Sequence, residues 1–465
     1  MNLPAVNHSP PDFQSRRVGV LGAARSGIGC ARLLTSAGAS VIVGDRKRAA
    51  DLNARQLSDI AKAGAILRPE LAHLDGFGHI DLLVISPGVP IDAPVVVQAR
   101  EAGIRVTGEV EVASQFSRSP VIAITGTNAK GSTCTLAGMM LNASGVKARV
   151  CGNIGDPFTG AVADGTVPDV YVVEISSFQL ETVETFRPRI ATLLNVTPDH
   201  IDRHHTLAAY HAAKARIFEN QTSDDWAIVN ADDPVAVDAA QATNARRVGF
   251  STTQGATEAR VEGDALLVDI GAGPRQVCQT SDMVRQGRPY IETVLAASSA
   301  ALIAGASAEG ILSAIRAHEL PEHVLEVVCE ANGVTFIDSS KATNPAAAIA
   351  DIESVEGTLV VIAGGLDKRV DFAPFAETLR KRARAVVVLG ECADQIADAA
   401  RGMSIVRCFS LEEAVQAAYE AAQPGDTVML APACASWDMF PSYKDRGKLF
   451  AHCAMQIAGP TKGDA

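Results

Sequence analysis

Short apolar segments rich in valine and isoleucine alternate with alanine-rich segments of helical period along most of the 465 residues. A strand that is apolar along its whole length is buried on both faces, which is typical of parallel sheets covered by helices. The alternation therefore predicts an α/β fold and excludes a disordered, collagen-like or coiled-coil chain. The predicted strands span residues 18–22, 41–45, 82–86, 121–125, 171–175, 191–196, 226–230, 334–338, 359–363, 385–389 and 427–430.

The length and two polar joints predict three domains, since a domain usually takes about 150 residues. The segment SQFSRSP (114–120) precedes a new strand and glycine loop, and RAHELPEH (316–323) precedes another series of strands. We expect a Rossmann-like N-terminal domain at 1–115, a central P-loop ATPase-like domain with a parallel sheet at 116–318, and a C-terminal Rossmann-like α/β domain at 319–465.

Charge, cysteine content and hydropathy indicate which ligands and which cellular compartment suit this chain. The chain has 41 Lys and Arg against 53 Asp and Glu, a net charge of −12, which does not favour nonspecific nucleic-acid binding. Nine cysteines without a CxxC pair are typical of reduced thiols in a cytosol. Residues 1–17 lack the apolar segment of a signal peptide, and the uncharged stretch 293–308 is short for a membrane span and predicts a buried helix. We expect a cytoplasmic monomer without membrane insertion.

The segment VIAITGTNAKGSTCT (121–135) carries the strongest chemical signal. A strand runs into a loop of small residues, then Lys130, then hydroxyls at the start of a helix. In such loops backbone N–H groups surround phosphate oxygens, the lysine adds a point charge, and Ser132 or Thr133 can coordinate Mg²⁺. The spacing differs from G-x₄-G-K-[ST], so the alternative is a strand–helix turn with an incidental lysine.

The loop TGTNAKGST resembles the ATP loop of the Mur ligase family, and the family's other motifs follow in order along nearly the whole chain. They are CGNIG (151–155), VVEISSFQLE (172–181), NVTPDHIDRH (195–204), AAYHAAKARIFEN (208–220), DSSKATNP (338–345), GGLDKRVDF (364–372), PACASWD (432–438) and the pair at 446–447.

Within this family the boxes are nearest to the members that add D-glutamate. The resemblance implies an ATP-dependent ligase of peptidoglycan synthesis, a step of cell wall biogenesis on which cell shape and cell division depend. Its N-terminal, central and C-terminal domains would bind the UDP substrate, ATP and the amino acid, respectively. The substrates implied are UDP-N-acetylmuramoyl-L-alanine and D-glutamate, joined through an acyl phosphate. The ATP contacts implied are Gly126, Thr127, Asn128, Ala129, Lys130, Gly131, Ser132 and Thr133.

An acyl phosphate forms only if a carboxylate and the γ-phosphate of ATP, both anionic, approach each other, so lysines and Mg²⁺ are expected at one place. The resemblance implies carbamylation of Lys214, which would turn an amine into a carboxylate able to bind a second Mg²⁺; this needs a lowered lysine pKa. The catalytic residues implied are Lys130, Asn153, His200, Lys214 and Lys341. The metal ligands implied are Ser132, Glu174, His200 and Lys214.

Each of these residues also has a structural alternative. Glu174 would cap the next helix, His200 would be a structural histidine, Lys214 a solvated helix lysine and Asn153 an ordinary turn residue.

The segment RVGVLGAARSGIG (17–29) predicts a strand, a glycine turn and a helix, with Asp45 ending the next strand. Alone, this pattern indicates a dinucleotide site, although Ala24 stands where GxGxxG has its middle glycine. The resemblance assigns the site to the UDP part of the substrate. Arg46 would bind pyrophosphate, or belong with its neighbours to a solvated charge run. The UDP-substrate contacts implied are Arg25, Ser26, Asp45, Arg46, Ser86, Pro87 and Gly88.

D-Glutamate carries two carboxylates, and its amine must be neutral to act as nucleophile, so cations are expected to hold its carboxylates. The resemblance points to Lys368, which by itself would be interpreted as a loop lysine, whereas Lys341 is expected to contact ATP phosphates. The D-glutamate contacts implied are Lys368, Thr343, Ser436 and Tyr443.

Several positions depart from the family pattern. Ala129 replaces a glycine, Gly131 precedes Ser132 as in folylpolyglutamate synthases, and Val324 stands where an arginine usually follows His323. PYIET (289–293) replaces HNxxN, where Tyr290 would stack on adenine, and Asp338-Ser339 replaces Asn-Asp. Three alternatives follow: a catalytically silent nucleotide-sugar-binding paralogue, a folylpolyglutamate synthase-like ligase, and an NAD-dependent oxidoreductase built on the first glycine turn.

Overall fold

The computed structural model describes residue 3 and residues 11–285 and 287–459. It is an α/β structure with three sheets, one each in the N-terminal, central and C-terminal regions, as predicted. Most of the first ten residues, on which the signal-peptide argument partly rests, lie outside the described residues. No helix in the described part of the chain is long and apolar enough to cross a membrane.

The N-terminal sheet has five parallel strands in the order β3-β2-β1-β4-β5. Apolar side chains of β1 and helix α1 fill the core beneath it. The strands are β1 (Arg17–Leu21), β2 (Ser40–Gly44), β3 (Ile66–Arg68), β4 (Leu82–Ile85) and β5 (Arg105–Gly108). The helices are α1 (Arg25–Ser36), α2 (Ala54–Lys62), α3 (Pro94–Glu101) and α4 (Glu109–Phe116), with 3₁₀ turns at Ala49–Asp51 and Leu74–Phe77.

The central sheet has nine strands in the order β14-β13-β12-β11-β10-β9-β6-β8-β7. Strands β6 to β12 pair in parallel, whereas β12, β13 and β14 form an antiparallel extension. The strands are β6 (Val121–Thr125), β7 (Ala148–Gly152), β8 (Val170–Glu174), β9 (Ile190–Leu193), β10 (Trp226–Asn230), β11 (Arg246–Phe250), β12 (Ala259–Glu262), β13 (Ala265–Val268) and β14 (Arg275–Gln279). The helices are α5 (Lys130–Ala143), α6 (Phe158–Ala163), α7 (Ser177–Leu180), α8 (Ile201–His204), α9 (Leu207–Ala215), α10 (Pro234–Ala239), α11 (Arg288–Ile303) and α12 (Ala308–Ala317), with 3₁₀ turns at Arg216–Phe218 and Thr280–Asp282.

The C-terminal sheet has six strands in the order β15-β16-β20-β17-β18-β19, parallel except for β15. The strands are β15 (Glu326–Ala331), β16 (Val334–Asp338), β17 (Leu359–Gly364), β18 (Ala383–Leu389), β19 (Ser404–Arg407) and β20 (Thr427–Leu430). The helices are α13 (Pro345–Glu353), α14 (Ala373–Arg382), α15 (Ala393–Ala399), α16 (Leu411–Ala421) and α17 (Tyr443–Ala458).

The described residues form two compact units. The first holds the N-terminal and central sheets and comprises the residues up to Val196, Ala208–Arg285 and Tyr290–His318. The second holds the C-terminal sheet and also includes Thr197–Leu207, although this segment follows β9 in the sequence. The boundaries of the three predicted domains, at 1–115, 116–318 and 319–465, remain predictions.

All the predicted strands are strands in the structure, and those at 121–125, 226–230, 334–338 and 427–430 match to the residue. The uncharged stretch predicted as a buried helix is mostly α11, whose last ten residues are all buried, up to Ile303.

Candidate active site

The phosphate loop joins β6 to α5 in the first unit. Ala129 caps α5 with a φ of 64°, a left-handed conformation that favours glycine. The Nζ of Lys130 donates hydrogen bonds to the carbonyl oxygens of Gly126 at 2.9 Å and Thr127 at 2.8 Å. The loop is held by the segment after β9, the strand that pairs with β6, because the backbone N–H of Asn128 donates to Oδ1 of Asn195 at 2.8 Å. The lysine thus folds over its own loop.

Two hydroxyls begin α5, and the structure distinguishes them. Thr133 is fully buried, and its Oγ1 donates to the carbonyl oxygen of Ala129 at 2.9 Å. Ser132 is half-buried. Of the two, Ser132 is the better candidate to meet a ligand.

Glu174 ends β8 beside the start of α5 and is 6% exposed. Its Oε1 accepts a hydrogen bond from Nδ2 of Asn153 at 2.7 Å. A Cβ on Gly131 would lie 3.2 Å from Oε2 of Glu174, which shows how closely the carboxylate approaches the helix. The helix that follows β8 is capped by Ser176, so the capping alternative for Glu174 is wrong.

Lys214 lies on α9 and is 2% exposed, so it is not a solvated helix lysine. Its Nζ donates to the carbonyl oxygen of Gly126 at 2.6 Å, the same oxygen that Lys130 contacts. The hydroxyl of Tyr210, one turn earlier on α9, lies 2.9 Å from Oγ1 of Thr127. Helix α9 therefore brings Lys214 directly against the phosphate loop.

At the N-terminal sheet, Asp45 organises the glycine turn. Its Oδ2 accepts from the backbone N–H of Ala23 at 2.7 Å, and its Oδ1 accepts from that of Lys47 at 2.9 Å. Oγ of Ser86, after β4, lies 3.4 Å from the carbonyl oxygen of Gly22, and Pro87 and Gly88 form the turn that follows. The structure thus gathers these predicted residues around one turn.

The first turn of α1 also meets the central region of the first unit. Arg25 is exposed, and its Nη1 donates to the carbonyl oxygen of Gly155 at 2.7 Å. Ser26 is half-buried, and its carbonyl oxygen lies 3.3 Å from Oγ1 of Thr159. Arg46 is exposed.

In the second unit, Lys368 lies in a loop as the alternative stated, but it is buried and its Nζ lies 3.0 Å from Oδ1 of Asp199. Oδ2 of Asp199 lies 3.3 Å from Nδ2 of Asn344 and 3.6 Å from Nε2 of His200. Burial disfavours the Asp199 carboxylate, but Lys368 and His200 outweigh it and hold the pKa of Asp199 below its usual range. His200 itself has a φ of 55° and is the N-terminal cap of α8. The sequence analysis missed Asp199 as the partner of Lys368.

Arg446 connects the loops that carry the predicted D-glutamate contacts. Its guanidinium donates to the carbonyl oxygens of Ser340 at 2.9 Å, Cys434 at 3.1 Å and Gly364 at 3.4 Å. These loops continue into Lys341, half-buried Thr343, Lys368 and buried Ser436, and half-buried Tyr443 begins the helix of Arg446. Burial lowers the pKa of Arg446 to about 10. The motif at 446–447 signalled this residue without indicating its role.

Residues 16–108 match the MurD-like N-terminal domain of Mur ligases, residues 124–273 the Mur ligase middle domain, and residues 325–434 the Mur ligase glutamate ligase domain. The chain is 41% identical over 452 residues to the UDP-N-acetylmuramoylalanine–D-glutamate ligase of Pelotomaculum thermopropionicum, covering 96% of this chain and 99% of that protein. The chain belongs to the Mur ligase family. A second relative of the same name, from a Thermoanaerobacter species, is 38% identical with the same coverage.

A solved pseudomurein peptide ligase type C from Methanothermus fervidus shares the Mur ligase fold. It superposes with a TM-score of 0.61 at 17% sequence identity, and the match covers 90% of this chain and 96% of that chain.

The structure shows which side chains contact two of the residues that depart from the Mur ligase pattern, Tyr290 and Ser339. Tyr290 is 6% exposed; its hydroxyl lies 2.7 Å from Nδ1 of His318, and the two rings stack at 5.7 Å. Burial raises the pKa of Tyr290 to about 12. The structure thus gives Tyr290 a protein partner, and the expectation that it stacks on adenine stays a prediction. Ser339 is equally engaged, since its Oγ donates to Oδ2 of Asp351 at 2.8 Å.

Proposed function

We propose that this Mur ligase is an ATP-dependent acid–amino-acid ligase that joins D-glutamate to UDP-N-acetylmuramoyl-L-alanine in peptidoglycan synthesis. The observation that carries the proposal is the full-length similarity, at about 40% identity, to proteins named for that reaction. We place the reaction in the cytoplasm and propose that the protein acts as a monomer.

The first half-reaction needs cations beside the phosphate loop. Lys130 contacts the carbonyl oxygen of Gly126, and its ammonium group there lowers the repulsion between a phosphate and an approaching carboxylate. On binding ATP, Lys130 would exchange its loop carbonyls for phosphate oxygens. Gly126, Ala129 and Gly131 would supply backbone N–H groups, and Thr133 would fix the first turn of α5. Thr127 and Asn128, whose N–H groups donate to Asn195, would hold the shape of the loop around the phosphates.

The residues around the loop fit Mg²⁺, which prefers carboxylate and hydroxyl oxygens. Glu174 and Ser132 offer such oxygens at the start of α5, and Asn153 fixes the Glu174 carboxylate by a 2.7 Å hydrogen bond. We propose Glu174, Ser132, His200 and Lys214 as ligands of two Mg²⁺ ions. The ions would neutralise the charge that develops on the phosphate being transferred.

We propose that Lys214 carries a carbamate in the active protein. Carbamylation requires a neutral amine, which burial and a neighbouring ammonium favour. Lys214 meets both conditions, being 2% exposed and sharing a carbonyl oxygen with Lys130. The carbamate oxygens would then be ligands for a cation rather than competitors of Lys130.

At the N-terminal turn, Arg25, Ser26, Asp45, Arg46, Ser86, Pro87 and Gly88 would hold the UDP part of the substrate. The exposed Arg46 and Arg25 would meet the diphosphate, and the Asp45 carboxylate keeps the turn in shape through Ala23.

In the second unit, we propose that Lys368, Thr343, Ser436 and Tyr443 bind the carboxylates of D-glutamate. Lys368 would release Asp199 and bind a substrate carboxylate, or it would contact both carboxylates at once. Lys341 would contact ATP phosphates.

The test is ADP and phosphate release by the purified protein, measured with ATP, UDP-N-acetylmuramoyl-L-alanine and D-glutamate together and with each omitted in turn. Release that requires all three supports the proposal. Release with a folate and glutamate instead would favour a folylpolyglutamate synthase-like ligase. Binding of the UDP substrate without turnover would favour the silent paralogue.

A further inference from the structure

Helix α4 buries two carboxylates in the first unit, Glu109 and Glu111, each 1% exposed. Oε2 of Glu111 accepts from the backbone N–H groups of Glu184 at 2.8 Å and of Thr185 and Phe186 at 3.0 Å. These partners all belong to one short segment after α7, so Glu111 clamps a single stretch of backbone.

Glu109 has different partners. Its Oε1 accepts from Nε2 of Gln179 at 2.6 Å, and its Oε2 lies 3.2 Å from Oγ1 and 3.4 Å from the backbone N of Thr159. Gln179 is on α7 and Thr159 on α6, so this carboxylate connects two segments that are distant in sequence. Burial raises the pKa of Glu109, whereas several hydrogen bonds together outweigh burial at Glu111 and lower its pKa.

Gln179 connects Glu109 by hydrogen bonds to the segment that follows Glu174 at the end of β8. Oε1 of Gln179 accepts from the backbone N–H of Ser176 at 2.8 Å and from its hydroxyl at 2.9 Å. An amide has one acceptor oxygen and one donor nitrogen. Because Glu109 takes the nitrogen, the oxygen must face Ser176, and this fixes the backbone two residues after Glu174.

Thr159 connects the other carboxylate oxygen of Glu109, Oε2, to helix α1. Its hydroxyl has a single hydrogen, shared between Glu109 and the carbonyl oxygen of Ser26 at 3.3 Å. A Cβ on Gly29 would lie 2.5 Å from Oγ1 of Thr159, so α1 rests directly on this threonine. The first turn of α1 holds two of the proposed UDP contacts, Arg25 and Ser26.

We infer that Glu109 is a positioning residue of the ligase: it orients Gln179 and Thr159, and so holds the backbone after Glu174 and the first turn of α1 in one geometry. The inference rests on the proposed function, in which these two places bind Mg²⁺ and the UDP substrate. Nothing in the family motifs assigns a role to this carboxylate.

The variants that test the inference exchange the carboxylate at position 109 with the amide at position 179. In Glu109→Gln, the new amide must turn its NH₂ either to the Nε2 donor of Gln179 or to Thr159, where the backbone N–H is a fixed donor and only the hydroxyl can turn to accept. In the double variant E109Q/Q179E, every partner is restored. The amide now at position 109 donates to the carboxylate now at position 179 and accepts from Thr159, while that carboxylate accepts from Ser176 as in a capping box. Glu111→Gln is the matched control, since it is equally buried and two residues away on the same helix.

We expect E109Q to lower kcat and to raise the Mg²⁺ concentration that gives half the maximal rate. The ratio of the two should fall by about 10- to 100-fold, the usual cost of losing a group that orients a metal ligand. The double variant should recover both values. E111Q should lower the thermal unfolding temperature but leave the Mg²⁺ dependence unchanged. A Mg²⁺ dependence for E109Q that matches wild type, or a double variant that recovers thermal stability but neither kinetic value, would overturn the inference.

A binding measurement separates this inference from the proposed function. Calorimetric titration with UDP-N-acetylmuramoyl-L-alanine should show weaker binding to E109Q than to wild type or the double variant. If wild type binds but has no ligase turnover, the proposed function fails while the pattern of binding across the three proteins still decides the role of Glu109. Equal binding by all three would count against the inference.

Discussion

Lys368 and Asp199 form a buried ion pair, and removing either partner should leave the other charge uncompensated. Their side chains are 9% and 6% exposed and their charged atoms lie 3.0 Å apart. Breaking a buried pair from one side costs about 3–5 kcal/mol. Lys368→Met and Asp199→Ala should each lower the urea midpoint by a corresponding amount, whereas D199A/K368M, with no charge left, should recover most of the loss.

The same variants separate folding from D-glutamate binding. A charge-assisted hydrogen bond contributes roughly 1.5–3 kcal/mol, so K368M should raise the KM for D-glutamate by about 10- to 100-fold and leave the KM for ATP nearly unchanged. The double variant should keep the raised KM although its stability returns. Lys381→Met is the control, because that lysine belongs to an exposed pair with Glu377 and should change neither quantity. Additive losses of stability, or a double variant with a normal KM, would refute this account.

Three further predictions concern the first unit. Ala129→Gly should raise stability by about 1 kcal/mol in urea unfolding, because glycine adopts the φ of 64° without strain; a lower midpoint would contradict this. Lys214→Ala should lower ligase activity by roughly 100-fold and be partly rescued by formate or acetate, which would replace the carbamate; full activity without them would exclude the carbamate. For Glu111, whose pKa is below its ordinary value of 4.5, the stabilising effect should be complete above pH 4.5 and fade as the pH falls through the lowered pKa, so the gap in unfolding temperature between wild type and E111Q should narrow there; a constant gap would show that its charge does not matter.

The strands found from sequence and those that escaped it differ in burial. Strands β6 and β8 are buried at every position, so their apolar runs are continuous in the sequence. Strands β3 and β19 lie at sheet edges, are three and four residues long, and mix exposed arginine with partly buried apolar residues. Such short edge strands carry no periodicity that distinguishes them from loops.

The site residues divide in a similar way. Lys130, Glu174 and Lys214 were found because each stands in a motif, and the structure brings them to one loop. Asp199 and Glu109 were missed because their importance lies in partners that are distant in sequence, Lys368 and Gln179. No single-chain pattern encodes such pairs.

The partner of Tyr290 was missed for the same reason. Its ring has the right chemistry to stack on a purine, but tertiary packing gave it His318 as a partner. Side-chain chemistry indicated what the ring is able to bind, but nothing in the sequence indicated the histidine against which it packs.

The central claim is that a substrate carboxylate attacks the γ-phosphate of ATP beside Lys130 and Lys214. It is tested most directly with UDP-N-acetylmuramoyl-L-alanine labelled with ¹⁸O in the terminal carboxylate. If an acyl phosphate forms and the amine of D-glutamate then displaces phosphate, one labelled oxygen leaves with each phosphate released, and mass spectrometry of the phosphate will detect it. Phosphate that carries no label while amide product accumulates would contradict the account.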